Sequence, residues 1–168
     1  RALPDDLQGC ALIGGYFGAV VEAHRFEDAG AGFKTTQLPR LLKSSNGAFR
    51  PVDVSVGPDG AIYIADWFNP LIGHYQTSYA DPKRDKTRGR IWRLSAKGRP
   101  PVRQPNLASM SPAALLDQLK SPERWTRYQA KRLLFDGPRA NVVAAADAWL
   151  AALPASTPDI ERLLLELT

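Results

Sequence analysis

The sequence is poor in cysteine, in long apolar runs and in the common catalytic motifs. Cys10 is the single cysteine among 168 residues, which excludes an internal disulfide, a CxxC metal site and a CxxCH haem attachment. No apolar run approaches the roughly 18 residues of a membrane-spanning helix, so no membrane span is predicted. Dinucleotide-binding G-x-G-x-x-G, Walker, nucleophile-elbow and HExxH motifs are also missing, so the sequence gives no support to the enzyme classes that they define.

Positive charge is in moderate excess, with 22 lysines and arginines, 17 aspartates and glutamates and a formal net charge of +5. This balance suits an anionic partner. The densest basic run, Asp81–Arg90, is interrupted by aspartates, so we interpret it as a solvated loop and predict no nucleic-acid partner. Arg90, Trp92 and Arg93 interleave cations with an aromatic ring, as some nucleic-acid sites do, but alternation in an outer strand accounts for them better.

Both ends of the sequence predict a segment of a longer protein. The chain begins at Arg1 and shows no basic and apolar leader, so no signal peptide is visible. It ends on the apolar helical pattern LLLELT without a stop signal. We therefore expect further chain beyond these residues.

Residues 11–95 alternate between short apolar segments and turn residues. The segments hold four to eight residues each and are rich in β-branched or aromatic side chains, which predicts β-strands. They read ALIGG, AVVEAHRF, GFKTTQL, VDVSV, AIYIAD, LIGHY and RIWRL. This part of the chain is therefore predicted to be antiparallel β-structure.

The turn Gly57–Gly60 predicts a hairpin between VDVSV and AIYIAD. Its proline restricts φ, its aspartate can accept a bond from the nearby backbone, and its second glycine supplies a positive φ. In VDVSV, strict alternation predicts that Val52, Val54 and Val56 share one face of the strand.

A faint internal repeat relates the segment Leu12–Val21 to Tyr63–Ile72 at an offset of 51 residues. The alignment pairs Ile13 with Ile64, and it pairs the end of the first segment, VV, with the end of the second, LI. A period near 50 residues with about four strands per unit is typical of β-propeller blades. Another antiparallel β fold remains the alternative.

After residue 100 the pattern becomes helical. Residues 99–110 are rich in proline and predict a linker. Ser111 and Ser121 each precede a proline and predict helix N-caps, and further helices are predicted over residues 138–153 and after Thr157. The apolar stripes expected to pack are Leu115, Leu116 and Leu119 on the first helix, and Trp125, Tyr128, Leu133 and Leu134 on the second. Four helices with short connections resemble HEAT-type repeats.

Three stretches carry a resemblance to a known family. FRPVDVSVGPDGAIYIADWFNPLIGH, followed by DPKRD and RGRIWRLSAKGRP, resembles the last propeller blade of the large membrane-bound dehydrogenase-type proteins of planctomycetes and verrucomicrobia. LPDDLQGCALIGGYFGAVVEAHRF resembles the preceding blade, and SPAALLDQLKSPERWTRYQAKRLL resembles the helical repeats that follow. The resemblance implies a β + α chain in two parts: C-terminal β-propeller blades over 1–98, a linker over 99–110 and α-helical HEAT-like repeats over 111–168.

The same resemblance implies an exported, periplasmic sugar or alcohol dehydrogenase. Its propeller is similar to glucose and sorbosone dehydrogenases, which bind pyrroloquinoline quinone and calcium. Longer members carry a c-type cytochrome domain, so haem c is implied for a longer parent and not for this chain, which has no CxxCH. The alternative is a non-enzymatic propeller and HEAT scaffold that binds a carbohydrate or a protein partner, because fold does not determine function.

In a propeller, the turn after the second strand lies at one rim of the channel. The resemblance places Asp66, Trp67 and Asn69 at this rim, with Arg50 just before the innermost strand, as candidates to bind a ligand or calcium. Carboxylate and amide oxygens suit a hard cation, and an arginine fork suits a carboxylate. The alternative is structural: Asp66 closes a turn through the backbone, and Trp67 packs between blades.

His74 is a candidate general base, because the ordinary pKa of histidine lies near neutrality. Its predicted place late in a third strand favours a packing role instead. Two blades alone would expose strand edges, which promote aggregation. We therefore expect the remaining propeller blades or a partner subunit to cover those edges.

Overall fold

The computed structural model describes residues 2–73, 77–154 and 156–167. It divides into two compact units, Arg1–Val102 and Arg103–Thr168. The division lies inside the segment 99–110 that the sequence predicts as a linker. Among the described residues, none of the helices has both the length and the apolar character needed to cross a membrane.

The first sheet is antiparallel and has four strands. These are β1 (Ala11–Gly15), β2 (Val20–Ala29), β3 (Gly32–Gln37) and β4 (Leu42–Lys43). Strand β2 pairs with both β1 and β3 and also, near its start, with the short β4. The predicted strands ALIGG, AVVEAHRF and GFKTTQL are confirmed, whereas β4 was not predicted.

The second sheet contains β5 (Pro51–Val56), β6 (Ile62–Asp66) and β7 (Arg90–Leu94), in that order and antiparallel. The predicted hairpin between β5 and β6 is confirmed. In its turn, Asp59 accepts a hydrogen bond from the backbone N–H of Ala61 at 3.1 Å, and Gly60 has a φ of 76°. Local turn chemistry therefore specifies this hairpin as predicted.

Two details of the second sheet differ from the prediction. A bulge lies between Pro51 and Asp53, so the strict alternation of β5 is interrupted and its valines do not form one buried face. Val52 is 57% exposed, whereas Val54 packs against the core. Residues 71–73 of the predicted strand LIGHY lie in no strand, its last two residues lie outside the described part of the chain, and β7 is the strand that pairs with β6.

The internal repeat is confirmed for one strand and wrong for the next. Strands β1 and β6 have bounds that differ by the predicted 51 residues. After β1, a four-residue turn leads to β2, with Gly15 paired to Val20. After β6, the 23-residue loop Trp67–Gly89 leads to β7, with Asp66 paired to Arg90. The start of β2 therefore corresponds to the start of β7 and not, as predicted, to residues 71 and 72. The reason is an insertion between β6 and β7.

The core of the first unit is shared by its two sheets. Its buried side chains are Ala19, Val21, Phe49, Ile62 and Ile64. Strand β1 lies against β5, where Gly14 approaches the backbone of Pro51. The apolar alternation of β6, with Ile62 and Ile64 buried, follows from this packing.

The second unit contains four α-helices among its described residues, as predicted. They are α1 (Pro112–Asp117), α2 (Arg124–Asp136), α3 (Arg139–Ala151) and α4 (Ile160–Glu166). Ser111 caps α1 by accepting the N–H of Ala114 at 3.3 Å, as predicted. Helix α2 begins later than predicted: its N-cap is Glu123, while Ser121 accepts the Glu123 N–H in a turn before the helix.

Helix packing agrees with the prediction for α1 and differs for α2. Leu115, Leu116 and Leu119 are buried as predicted, although Leu119 lies in the 3₁₀ turn Gln118–Lys120 that follows α1. The side chains that α2 buries are Thr126, Ala130 and Leu134. These lie four residues apart on one stripe, so the predicted position of Tyr128 in the core is wrong and its ring is 55% exposed. The assignment to HEAT-like repeats stays a prediction.

Candidate functional site

Asp66, the last residue of β6, is at the centre of a polar corner. Its Oδ1 accepts the backbone N–H groups of Arg50 at 2.8 Å and Phe68 at 2.9 Å. Its Oδ2 accepts Nε of Arg90 at 2.9 Å and Nε1 of Trp92 at 3.0 Å. The carboxylate side chain is fully buried, so four donors from this chain replace the water that it loses on folding.

These contacts determine the charge state of the carboxyl group. Burial acts to raise the pKa of Asp66, but the N–H groups of Arg50 and Phe68 and the side chains of Trp92 and Arg90 hold it below its ordinary value. Asp66 is therefore an ionised, hydrogen-bonded anchor at neutral pH. A general acid would need the opposite shift.

Acid is expected to destabilise the first unit through Asp66. The native pKa of Asp66 lies below the ordinary value of 3.8. The stabilisation that the ionised carboxylate gives to the folded unit is therefore complete above that value and is lost as pH falls through the native pKa. Urea unfolding of the first unit measured from about pH 6 to about pH 3 should show a falling midpoint. Asp66→Asn should flatten the decline, and an unchanged midpoint in the native protein would contradict this role.

Arg50 joins the corner to the first sheet. Its side chain is buried, and Nε donates to the carbonyl of Asn69 at 3.1 Å, while Nη1 donates to the carbonyl of Tyr16 at 3.0 Å. Tyr16 lies in the turn between β1 and β2. The backbone carbonyl of Arg50 also accepts the N–H of Trp67 at 2.9 Å. Arg50 thus connects the turn that follows β6 with the turn between β1 and β2.

The other predicted rim residues divide between buried and exposed positions. Asn69 is buried and its Oδ1 accepts the N–H of Leu71 at 3.1 Å, which closes a turn. The Trp67 side chain is 43% exposed. The structure therefore brings Arg50, Asp66 and Asn69 together and leaves Trp67 at the surface. His74, the candidate general base, lies outside the described residues.

The corner does not fit a calcium ion. A calcium site needs several oxygen ligands, whereas both oxygens of Asp66 accept N–H donors and the guanidinium group of Arg90 lies at 2.9 Å. Among the described residues, no group of three or more histidine, cysteine, aspartate or glutamate side chains that could hold a metal is found. A role of these residues in binding an organic ligand stays a prediction.

The loop Trp67–Gly89 begins directly at this corner, and some of its described residues line an open concavity of about 530 Å³. Ala48, Phe68, Pro70 and every residue of the segment Asp81–Arg88 line it. Phe68 adopts a φ of 50° and its ring lies 3.7 Å from the guanidinium carbon of Arg90, a cation–π contact. The root of the loop is therefore held by the same carboxylate network as the end of β6.

Inside the loop, the acidic side chains organise the backbone. Asp81 accepts the N–H of Lys83 at 2.9 Å, and Asp85 accepts the N–H of Thr87 at 3.0 Å. Asp85 also pairs with Arg88 at 2.8 Å. Lys83 and Lys86 are exposed and form no ion pair within the described part of the chain. The aspartates thus shape the loop, and the lysines give its concavity a positive potential.

Sequence reasoning interpreted this segment as a solvated loop and missed the concavity. Equivalent strand pairs are joined by four residues in one copy and by 23 in the other, but the repeat in the sequence did not show this difference. A long connection between paired strands is often functional.

The chain matches a known family model. A family model described as a domain of unknown function, DUF7133, matches residues 1–98. Searches of curated proteins and of solved structures found no match. The matched segment covers both sheets and the loop between β6 and β7, and more than half of the chain.

Proposed function

We propose a binding function for this chain, which belongs to the DUF7133 family. Its first unit would be two consecutive blades of a β-propeller, and the loop Trp67–Gly89 would be a ligand-binding loop on one rim. The ligand would be an acidic saccharide, held by the basic concavity of that loop. The observation that carries this proposal is the inserted loop, rooted on the Asp66 network and lined by four basic side chains.

The blade assignment is supported by the repeated strand pairs. Strands β1 and β2 are antiparallel neighbours, and so are β6 and β7. In both pairs the last residue of the first strand is paired with the first residue of the second. The first sheet continues beyond β2 to β3, and the second begins before β6 with β5. In a four-stranded blade, the first sheet then supplies strands two to four and the second supplies strands one to three. The edges left open are those that neighbouring blades or a partner subunit would pair.

The chemistry of the concavity supports an acidic, hydroxyl-rich ligand. Lys83, Arg84, Lys86 and Arg88 outnumber Asp81 and Asp85 in its lining, so the field attracts an anion. Carboxylate and hydroxyl oxygens on the same wall can accept hydrogen bonds from sugar hydroxyls. Its volume of about 530 Å³ lies within the range of about 300–1,000 Å³ that is common for small ligands.

The sugar or alcohol dehydrogenase activity remains a prediction from the resemblance. It would need pyrroloquinoline quinone and haem c in a longer, exported parent. The side chains of Arg50, Asp66 and Asn69 are engaged in hydrogen bonds with the backbone of this corner. We therefore propose the binding function ahead of the enzymatic one.

Charge reversal in the loop tests the ligand class. We expect labelled tetragalacturonate to bind the full chain and maltotetraose to bind far more weakly. Lys83→Glu combined with Lys86→Glu should weaken tetragalacturonate binding by about tenfold or more, equivalent to about 1.4 kcal/mol. Fluorescence anisotropy at low and high salt would measure this, because screening should weaken the native interaction.

The matched control is Lys34→Glu with Lys97→Glu, which changes the net charge equally at exposed positions outside the loop. It should leave the affinity within about twofold, roughly 0.4 kcal/mol. Equal losses in both double variants would show non-specific attraction by net charge and would overturn the proposal. Absence of tetragalacturonate binding would overturn it as well.

A further inference from the structure

The second unit contains a groove of about 700 Å³ that is unrelated to the loop site. Leu116 and Leu119 lie at its base, and side chains of α2, α3 and the end of α4 form its walls. The exposed face of α2 contributes Tyr128 and Phe135, which lie seven residues apart, or about 10.5 Å along the helix axis. The groove is therefore apolar at its base and carries two aromatic rings along one wall.

Its apolar wall is open to solvent. Phe135 is 90% exposed, Tyr128 is 55% exposed and Val143 is 50% exposed. Single exposed apolar side chains are common, but a cluster of them around a groove marks an interaction surface. Aromatic residues are also the side chains that contribute most to binding energy at interfaces. The groove thus has anchors available for a partner.

Charge around the groove is positive. Arg127 contacts Glu166 at 3.0 Å and Lys131 contacts it at 3.6 Å, so the glutamate is already neutralised. Arg124 and Arg132 line the same groove and have no acidic partner among the described residues. Asp136 is the other acidic side chain of the lining. A surplus of cations beside an apolar base selects for an acidic and amphipathic partner.

We propose that this groove binds an acidic amphipathic α-helix of another protein. Apolar side chains on one face of that helix pack against Tyr128, Phe135 and Val143, as in other helix-in-groove interfaces. Acidic side chains along its edge pair with Arg124 and Arg132. A second copy of this chain fits less well, because a symmetric contact would bring these arginines against each other.

A pair of synthetic peptides tests this surface with the full chain. Both are helical, with leucine at positions i, i+3 and i+7, and one carries glutamate where the other carries lysine. We expect the acidic peptide to bind in fluorescence anisotropy and the basic peptide not to bind. Phe135→Ser should weaken acidic-peptide binding by about tenfold, equivalent to about 1.4 kcal/mol. Because Phe135 is 90% exposed, this change should leave the fold intact.

A second variant, Arg124→Glu with Arg132→Glu, tests the charge argument separately. It should lose the acidic peptide and gain the basic one. Phe33→Ser is the matched aromatic control, since this ring is 71% exposed on β3, and Arg139→Glu is the charge control on an exposed position outside the lining. Equal binding of both peptides, no binding of either, or a dimer in sedimentation velocity that Phe135→Ser dissociates would overturn the proposal.

Discussion

Asp66→Ala is expected to lower the free energy of unfolding of the first unit by roughly 3–5 kcal/mol, because a fully buried carboxylate is removed and the donors that it satisfies lose their acceptor. The substitution leaves four donors without their acceptor: two backbone N–H groups, the indole of Trp92 and the guanidinium group of Arg90. It also releases the root of the loop Trp67–Gly89. Urea unfolding would measure the decrease in the free energy of unfolding, and hydrogen exchange of the β6 amides would show whether the corner opens.

Asp53→Ala is the matched control for this prediction. Asp53 lies on the neighbouring strand β5 with its side chain exposed, so its replacement should change stability by no more than about 0.5 kcal/mol. If Asp66→Ala behaves like this control and lowers only ligand binding, then Asp66 is a ligand-binding residue and not the anchor of the corner.

Gly14→Val is expected to destabilise the first unit by about 1–3 kcal/mol or more, as overpacking does. A Cβ at position 14 would lie 2.6 Å from the carbonyl oxygen of Pro51 and 3.3 Å from its carbonyl carbon. These are backbone atoms of β5, and they yield less readily than a flexible side chain. The β-propensities of the two residues alone would predict the opposite change in stability, because they favour valine over glycine.

Gly32→Val separates packing from propensity. Gly32 begins strand β3, and a Cβ there would meet nothing within 4 Å. This variant should therefore be as stable as the native protein, or slightly more stable. Thermal unfolding of both variants measures the difference, and a Gly14→Val protein as stable as Gly32→Val would contradict the close packing of β1 against β5.

Features that depend on local chemistry were predicted well. The Gly57–Gly60 turn, the alternation of β6 and the Ser111 cap each require only neighbours in sequence. The matched bounds of β1 and β6 were also visible in the repeat. Short-range hydrogen bonding and side-chain periodicity are sufficient to specify such elements.

Features that depend on distant contacts were not predicted. The hydrogen bond that the guanidinium group of Arg50 donates to the carbonyl of Tyr16 joins residues 34 positions apart and has no local sequence signal. Helix α2 buries a different face from the one predicted. Thr126, whose hydroxyl donates to the side chain of Gln104, is buried, and Tyr128 is exposed. The end of the repeat at Asp66 was hidden because an insertion has no periodic signal of its own. Such outcomes follow from tertiary packing, which overrides local preference.

The measurement that most directly tests the binding function is a two-dimensional amide NMR titration of the native chain with tetragalacturonate. The proposed site predicts shift changes concentrated in the loop Trp67–Gly89 and in Ala48, which lines the same concavity. Shift changes dispersed over all exposed lysines and arginines, or concentrated in the groove of the second unit, would contradict the account.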